Sequence, residues 1–229
     1  MVEKRGKKGH SGPMKRIITA LVVIVLAVGS APAQEKPDAL KLYRNGRDLE
    51  AAGRTEDAAA AYRQSIEVCK QDLTDNPKNM DAYTIETWAL VRLGKYQDAV
   101  DTCAEALKVS NDYRVVETMG EAYFYLRQYK ESLKQFERYV DAAPKGERIS
   151  TAYFFVGEIY RLNREYNHAD IAYSTAVYLE PGLSLWWYRL GTVRESVGDK
   201  AGAQTAYQRA LKLRPDYKDA NEGLNRVRT

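Results

Sequence analysis

Histidine and cysteine are scarce in this chain, with two of each in 229 residues. His10 and His168 stand far apart and no His/Cys cluster has metal-ligand spacing, so no zinc site and no cofactor are expected. A glycine-rich phosphate loop, a nucleophile elbow and a His-Glu-x-x-His run are all missing. The carboxylate pair Glu117 and Glu121 lies four apart on one helix face, which is first of all a solvated surface rather than acid/base chemistry. No catalytic residue is therefore assigned, and the chain does not read as an enzyme. Alternating strand patterns are absent too, which points to an all-α fold.

Charge of one sign is lacking once the N-terminus is set aside. Residues 1–33 hold six basic residues (Lys4, Arg5, Lys7, Lys8, Lys15 and Arg16) and one acidic residue, Glu3. Removing them from the 35 basic and 31 acidic residues of the chain leaves 29 and 30, a net of −1. A near-neutral body gives no basic face for nucleic acid. Within the N-terminus, Met14-Lys15-Arg16 precedes the apolar run Ile17–Val28, and Ala31-Pro32-Ala33 follows. That run of 12 residues is shorter than the roughly 20 a membrane-spanning helix needs. Charged start, short apolar stretch and small residues make a secretory signal cleaved after Ala33, placing the mature chain in a bacterial periplasm or outside the cell. The alternative is an uncleaved anchor in the inner membrane, and either Met1 or Met14 serves as the start.

What is present is a repeat. A small residue, then Ala or Ser twelve later, then an aromatic or Cys four further on, recurs as Gly46/Ala58/Tyr62, Thr87/Ala99/Cys103, Gly120/Ser132/Phe136, Gly157/Ala169/Tyr173 and Gly191/Ala203/Tyr207. Pro144, Pro181 and Pro215 close three units in phase. Glycine inside a helix costs about 1 kcal/mol relative to alanine, so its recurrence implies close helix crossing. Helix stops are read at Gly53, Gly94 and Gly198.

This pattern resembles the tetratricopeptide repeat, a helix-turn-helix unit of about 34 residues. The resemblance implies a right-handed α-solenoid of about five units, near 39–79, 80–112, 113–149, 150–183 and 184–217, with a capping helix at 218–229 in a domain spanning 34–229. The first unit is 41 residues long, and helical spacing of Ile66, Cys69 and Leu73 places the excess in its second helix. Three extra residues in the third unit fit a loop at Lys145-Gly146-Glu147. Asn45 and Arg194 replace apolar residues, so units one and five should pack less regularly. The register puts Cys69 and Cys103 about 10 Å out of step along neighbouring helices, too far for a disulfide.

The resemblance further implies that the first helix of each unit lines a concave groove. Carried onto this chain, the inner positions supply Trp88, Glu117, Glu121, Phe124, Phe154, Glu158, Arg161 and Tyr188 as candidate binding residues. Four rings and three carboxylates predict a protein or peptide partner with apolar and basic side chains. Each ring can instead pack as core between units. The lysine and asparagine of a clamp for peptide C-termini are missing, since Tyr43, Arg47, Glu117 and Glu121 stand there. A scaffold or adaptor of the cell envelope is the leading reading. A receptor holding an apolar small molecule in a closed pocket of Trp88, Phe124 and Phe154 is the alternative.

Overall fold

Short polar side chains open the first three hairpins. Asp38, Asn79 and Asp112 accept from the backbone N–H groups of Lys41, Ala82 and Arg114 at 3.0, 3.1 and 2.8 Å, satisfying donors that a helix start leaves open. The structure, a computed structural model, describes residues 1–2 and 37–228. Apart from its first two residues, the segment read as an export signal lies outside the described residues.

Five helical hairpins and a final helix follow in order: α1 (Ala39–Ala51) with α2 (Thr55–Asp75), α3 (Met80–Arg92) with α4 (Tyr96–Val109), and α5 (Tyr113–Tyr125) with α6 (Tyr129–Ala142). Then come α7 (Ile149–Leu162) with α8 (Tyr166–Leu179), α9 (Ser184–Ser196) with α10 (Lys200–Leu213), and α11 (Lys218–Arg228). Among the described residues there is no strand, and no helix is long and apolar enough to cross a membrane. The fold is an all-α solenoid, as the repeat pattern requires.

Each first helix ends in the same turn. In the first hairpin, Gly53 N–H donates to Glu50 O at 3.0 Å and Arg54 N–H to Leu49 O at 2.9 Å. These are the two bonds of a helix stop built around a left-handed residue. Gly53, Gly94 and Gly198 take that conformation, with φ of 75°, 71° and 83°. The third and fourth hairpins make the same bonds around Arg127 and Arg164, at φ of 60° and 64°. A side chain there is strained, and sequence offered no glycine to mark these stops.

Inside each hairpin, ring and small residue exchange volume. A Cβ on Gly191 would lie 2.6 Å from Tyr207, and one on Gly157 2.7 Å from Tyr173. The second hairpin reverses the trade: Thr87 takes the small place and Cys103 the place of the ring, both fully buried. Cys69 and Cys103 are free thiols, and burial pushes both up to about 12, so neither is a nucleophile at neutral pH.

Successive first helices α1, α3, α5 and α7 touch one another, whereas second helices mostly meet the first helices on either side. The first helices therefore crowd the inner side of the stack. Helix α2 has 21 residues against 14 in α4, α6, α8 and α10, and its added two turns bury Cys69 with Ala39 and Ala82. At the other end, Ala220, Leu224 and Val227 of α11 cover Tyr207. Around Arg194, where less regular packing was expected, the side chain is anchored by polar contacts. Its guanidinium crosses to the preceding hairpin, donating to Asp170 at 2.8 Å and Ser174 at 3.1 Å, a polar tie where an apolar side chain was expected.

Candidate functional site

The residue after the small packing position holds the same register in every unit, Arg47, Trp88, Glu121, Glu158 and Thr192 in chain order, and the first three line one hollow. One turn earlier stand Tyr43, Thr84, Glu117, Phe154 and Tyr188. Trp88 leans on Tyr43 with ring centroids 5.6 Å apart and lines two adjoining hollows. The first, about 290 Å³, is lined by Trp88, Tyr113, Arg114, Glu117, Tyr139, Glu147 and Arg148. The second, about 230 Å³, adds Tyr43, Arg47, Val91, Arg92, Thr118 and Glu121.

Glu147 and Arg148 reach these hollows from the loop between α6 and α7. The loop is held where Arg148 N–H donates to Tyr139 Oη at 3.2 Å, and Gly146 leaves room for that ring. Arg148 then bridges two carboxylates. Its Nη2 donates to Glu121 Oε2 at 2.7 Å, and its Nε lies 2.9 Å from Glu117 Oε1 in a close ion pair rather than a well-directed hydrogen bond. Glu117 is 1% exposed. Burial, reinforced by the charge of Glu121, pushes its carboxyl up to about 7 even with Arg148 pulling the other way.

The arginines around the first hollow are already engaged. Arg114 is committed to Asp112 at 2.7 Å and to Asp81 at 2.8 Å. Arg148 is committed to Glu117 and Glu121, while Glu147 lines both hollows and pairs with no cation among the described residues. Rings of Trp88, Tyr113 and Tyr139 beside the unpaired Glu147 form surroundings suited to a cation, whose attraction to an aromatic face adds to its attraction to a carboxylate.

The fourth and fifth hairpins show the reverse arrangement. Glu158, 6% exposed, accepts from Tyr173 Oη at 2.5 Å and Arg161 Nη2 at 2.7 Å, and Arg189 Nε lies 2.8 Å away. Elsewhere the equivalent tyrosine uses a glutamate one turn later: Tyr62 donates to Glu50 at 2.7 Å and Tyr207 to Glu195 at 2.6 Å. In the fourth unit that later position is Arg161, so the acceptor shifts to Glu158 and the arginine joins it. Glu195 is also gripped by Arg226 of α11 at 2.8 and 3.0 Å, which holds its carboxyl below the usual range.

The eight residues proposed from sequence separate into three groups. Trp88, Glu117 and Glu121 come together around the two hollows. Glu158 and Arg161 meet in the second cluster. Phe124, Phe154 and Tyr188 line neither hollow and are half-buried between hairpins. Phe124 abuts Phe155 at 5.0 Å, Phe154 stacks on Trp186 at 5.0 Å, and Tyr188 rests on Tyr217 at 5.1 Å. The expected row of four groove rings is thus reduced to Trp88, because the other rings fill gaps between successive units. The three carboxylates are not a free acidic surface either: each is paired with arginine supplied by the chain itself. Sequence reasoning missed Tyr113, Tyr139, Arg148 and Arg189. Only the three added residues at 145–147 signalled that something new enters the groove near Arg148.

A stack of helical hairpins with a recessed, ring-lined inner face and no group of three or more metal-ligating side chains among the described residues defines a helical repeat protein. Tetratricopeptide repeat profiles match residues 43–113, 118–182 and 187–217. More than half of the chain is covered, and the chain belongs to the tetratricopeptide repeat family. It is 32% identical over 172 residues to the general transcriptional corepressor ssn6 of Schizosaccharomyces pombe, covering 71% of this chain and 15% of that protein. To the mouse protein O-mannosyl-transferase TMTC1 it is 31% identical over 97 residues, or 42% of this chain and 10% of that protein. The chain thus spans at most about a seventh of these curated relatives. Among solved structures, TTC0263 of Thermus thermophilus aligns with a TM-score of 0.62 at 19% identity, covering 83% of this chain and 98% of that one. MamA from Desulfovibrio magneticus RS-1 gives 0.60 at 23% identity over 80% and 99%. YrrB, described as a tetratricopeptide repeat protein with an unusual peptide-binding site, gives 0.55 at 20% over 82% and 92%. These structures share the fold.

Proposed function

We propose that this protein is a scaffold or adaptor that holds a peptide segment of a partner along its inner face, with a lysine or arginine side chain of that segment entering the hollow beside Trp88. The observation that carries this reading is a ring-lined recess whose arginines are already engaged and whose Glu147 pairs with no cation among the described residues. The unusual peptide-binding site for which YrrB is described is consistent with it. A closed small-molecule pocket of Trp88, Phe124 and Phe154 is less favoured, since Phe124 and Phe154 line neither hollow beside Trp88 and pack on Phe155 and Trp186. Export is part of the same proposal, supported by Met14-Lys15-Arg16, the apolar run and Ala31-Pro32-Ala33. A mature N-terminus at Gln34 is expected on sequencing, whereas an intact start at Met1 or Met14 returns the anchored alternative.

The binding test uses end-capped nonapeptides of alanine and leucine bearing one central lysine, with norleucine in its place as control. Fluorescence anisotropy should show at least tenfold tighter binding of the lysine peptide. Trp88→Ala or the surface change Glu147→Lys should remove the preference. Equal binding of both peptides by the native protein would end this reading.

A further inference from the structure

The inner face carries two charge clusters of opposite bias, on α5 and on α7 with α9. Arg148 is one guanidinium shared by two carboxylates, Glu117 and Glu121. Glu158 is one carboxylate shared by two guanidinium groups, Arg161 and Arg189. Glu121 and Glu158 occupy the same place in successive units, so the two clusters follow one another along the same side of the stack.

In the second cluster the acceptor is exhausted before the donors are. A carboxylate has about four lone-pair sites and a guanidinium five N–H groups. Tyr173 and both arginines already converge on Glu158. Arg161 Nε is buried and meets no acceptor. Arg189 Nε is buried too, but both side chains remain partly exposed, at 25% and 31%. Arg189 also lies 5.7 Å above the Tyr188 ring, which holds it near the groove without neutralising it. Two partly exposed arginines that share one buried carboxylate leave a net positive charge and open donors toward the inner face. A carboxylate accepts the forked N–H groups of arginine in a geometry that a neutral amide cannot match.

We infer that Arg161 and Arg189 form a second subsite that takes an acidic side chain of the same partner segment, so that the groove selects a peptide with a basic residue and an acidic residue at a set spacing. This rests on the peptide-holding reading above. The hollow lies between α3 and α5 and the arginine pair between α7 and α9, two helix spacings of about 8–10 Å. At about 3.3 Å per residue of extended chain, the two charged side chains should stand about five or six residues apart.

The test compares four end-capped peptides on the full chain by anisotropy: lysine alone, lysine with glutamate five residues on, the same with glutamine for glutamate, and lysine with glutamate adjacent. Glutamate at five should tighten binding about tenfold over glutamine, and adjacent glutamate should not. Arg189→Gln should erase that gain while leaving lysine-alone binding unchanged. Circular dichroism guards against misfolding, and the peptide-side exchange tests the idea without any protein variant. Lysine peptides that bind equally with or without distant glutamate would overturn the second subsite and leave the first reading standing. Failure of all four to bind would remove both.

Discussion

The groove cluster on hairpins two and three and the one on hairpins four and five are built from the same two residue types in opposite ratio. On α5 an arginine from a loop serves two glutamates, one of them 1% exposed. Between α7 and α9 a buried glutamate serves two arginines that remain partly in water. The difference lies in which ion is hidden. A buried carboxylate with a single cation depends wholly on that cation, while exposed arginines can fall back on solvent.

The largest test removes Arg148. At pH 8, where Glu117 is ionised, Arg148→Ala leaves it buried without its cation, and a loss of about 3 kcal/mol in urea unfolding is expected. The double variant Glu117→Gln/Arg148→Met should recover most of it; equal loss in both would mean the loop, not the charge, is what matters. Next, Glu158→Gln should cost less, about 1.5 kcal/mol, since it weakens charge-assisted hydrogen bonds without stranding a buried ion. A loss as great as that of Arg148→Ala would erase the contrast between the clusters.

The third test is pH. Glu117 in the folded chain holds its proton up to about 7, above its ordinary 4.5. The folded state therefore binds more protons than the unfolded one between these values. Its contribution is fully present below about 4.5 and is lost as pH rises toward 7, with a slope of at most about 1.4 kcal/mol per pH unit. Chemical denaturation from pH 5 to pH 7 should show this fall, and Glu117→Gln should flatten it. The smallest effect belongs to the backbone, where the two regions ought to agree. Arg127→Gly and Arg164→Gly relieve a left-handed side chain in the third and fourth hairpins, and each should raise stability by up to about 1 kcal/mol. Unequal gains would show that the two halves differ in more than charge.

The hairpins were readable because close helix crossing leaves a local signature: Gly191 must be small where Tyr207 lies against it, twelve and sixteen residues from its neighbours in the pattern. The groove was only half readable. Trp88, Glu117 and Glu121 could be placed from register alone, since they sit at inner positions of their helices. Arg148 and Arg189 could not, because each reaches its carboxylate across hairpins, and nothing in spacing specifies which long side chain will do so. Phe124 and Phe154 show the same limit from the other side: an inner register permits a ring to face the groove or to wedge between units, and packing with Phe155 and Trp186 decided it.

The long second helix gives the stack unequal ends. In an array whose members touch only their neighbours, opening begins at the end that is held least. At one end, α2 ties its own hairpin to the next through Cys69, Ala39 and Ala82, and Ser65 Oγ donates to Ala39 O at 2.8 Å. At the other, an 11-residue helix alone closes the row. Amide exchange should therefore run fastest from α11 inward and slowest at α2 and α3. If Arg161 and Arg189 hold an acidic side chain as proposed, fraying from α11 would loosen that subsite first while the recess beside Trp88 stays formed, so a bound segment would be released from one end like a zip.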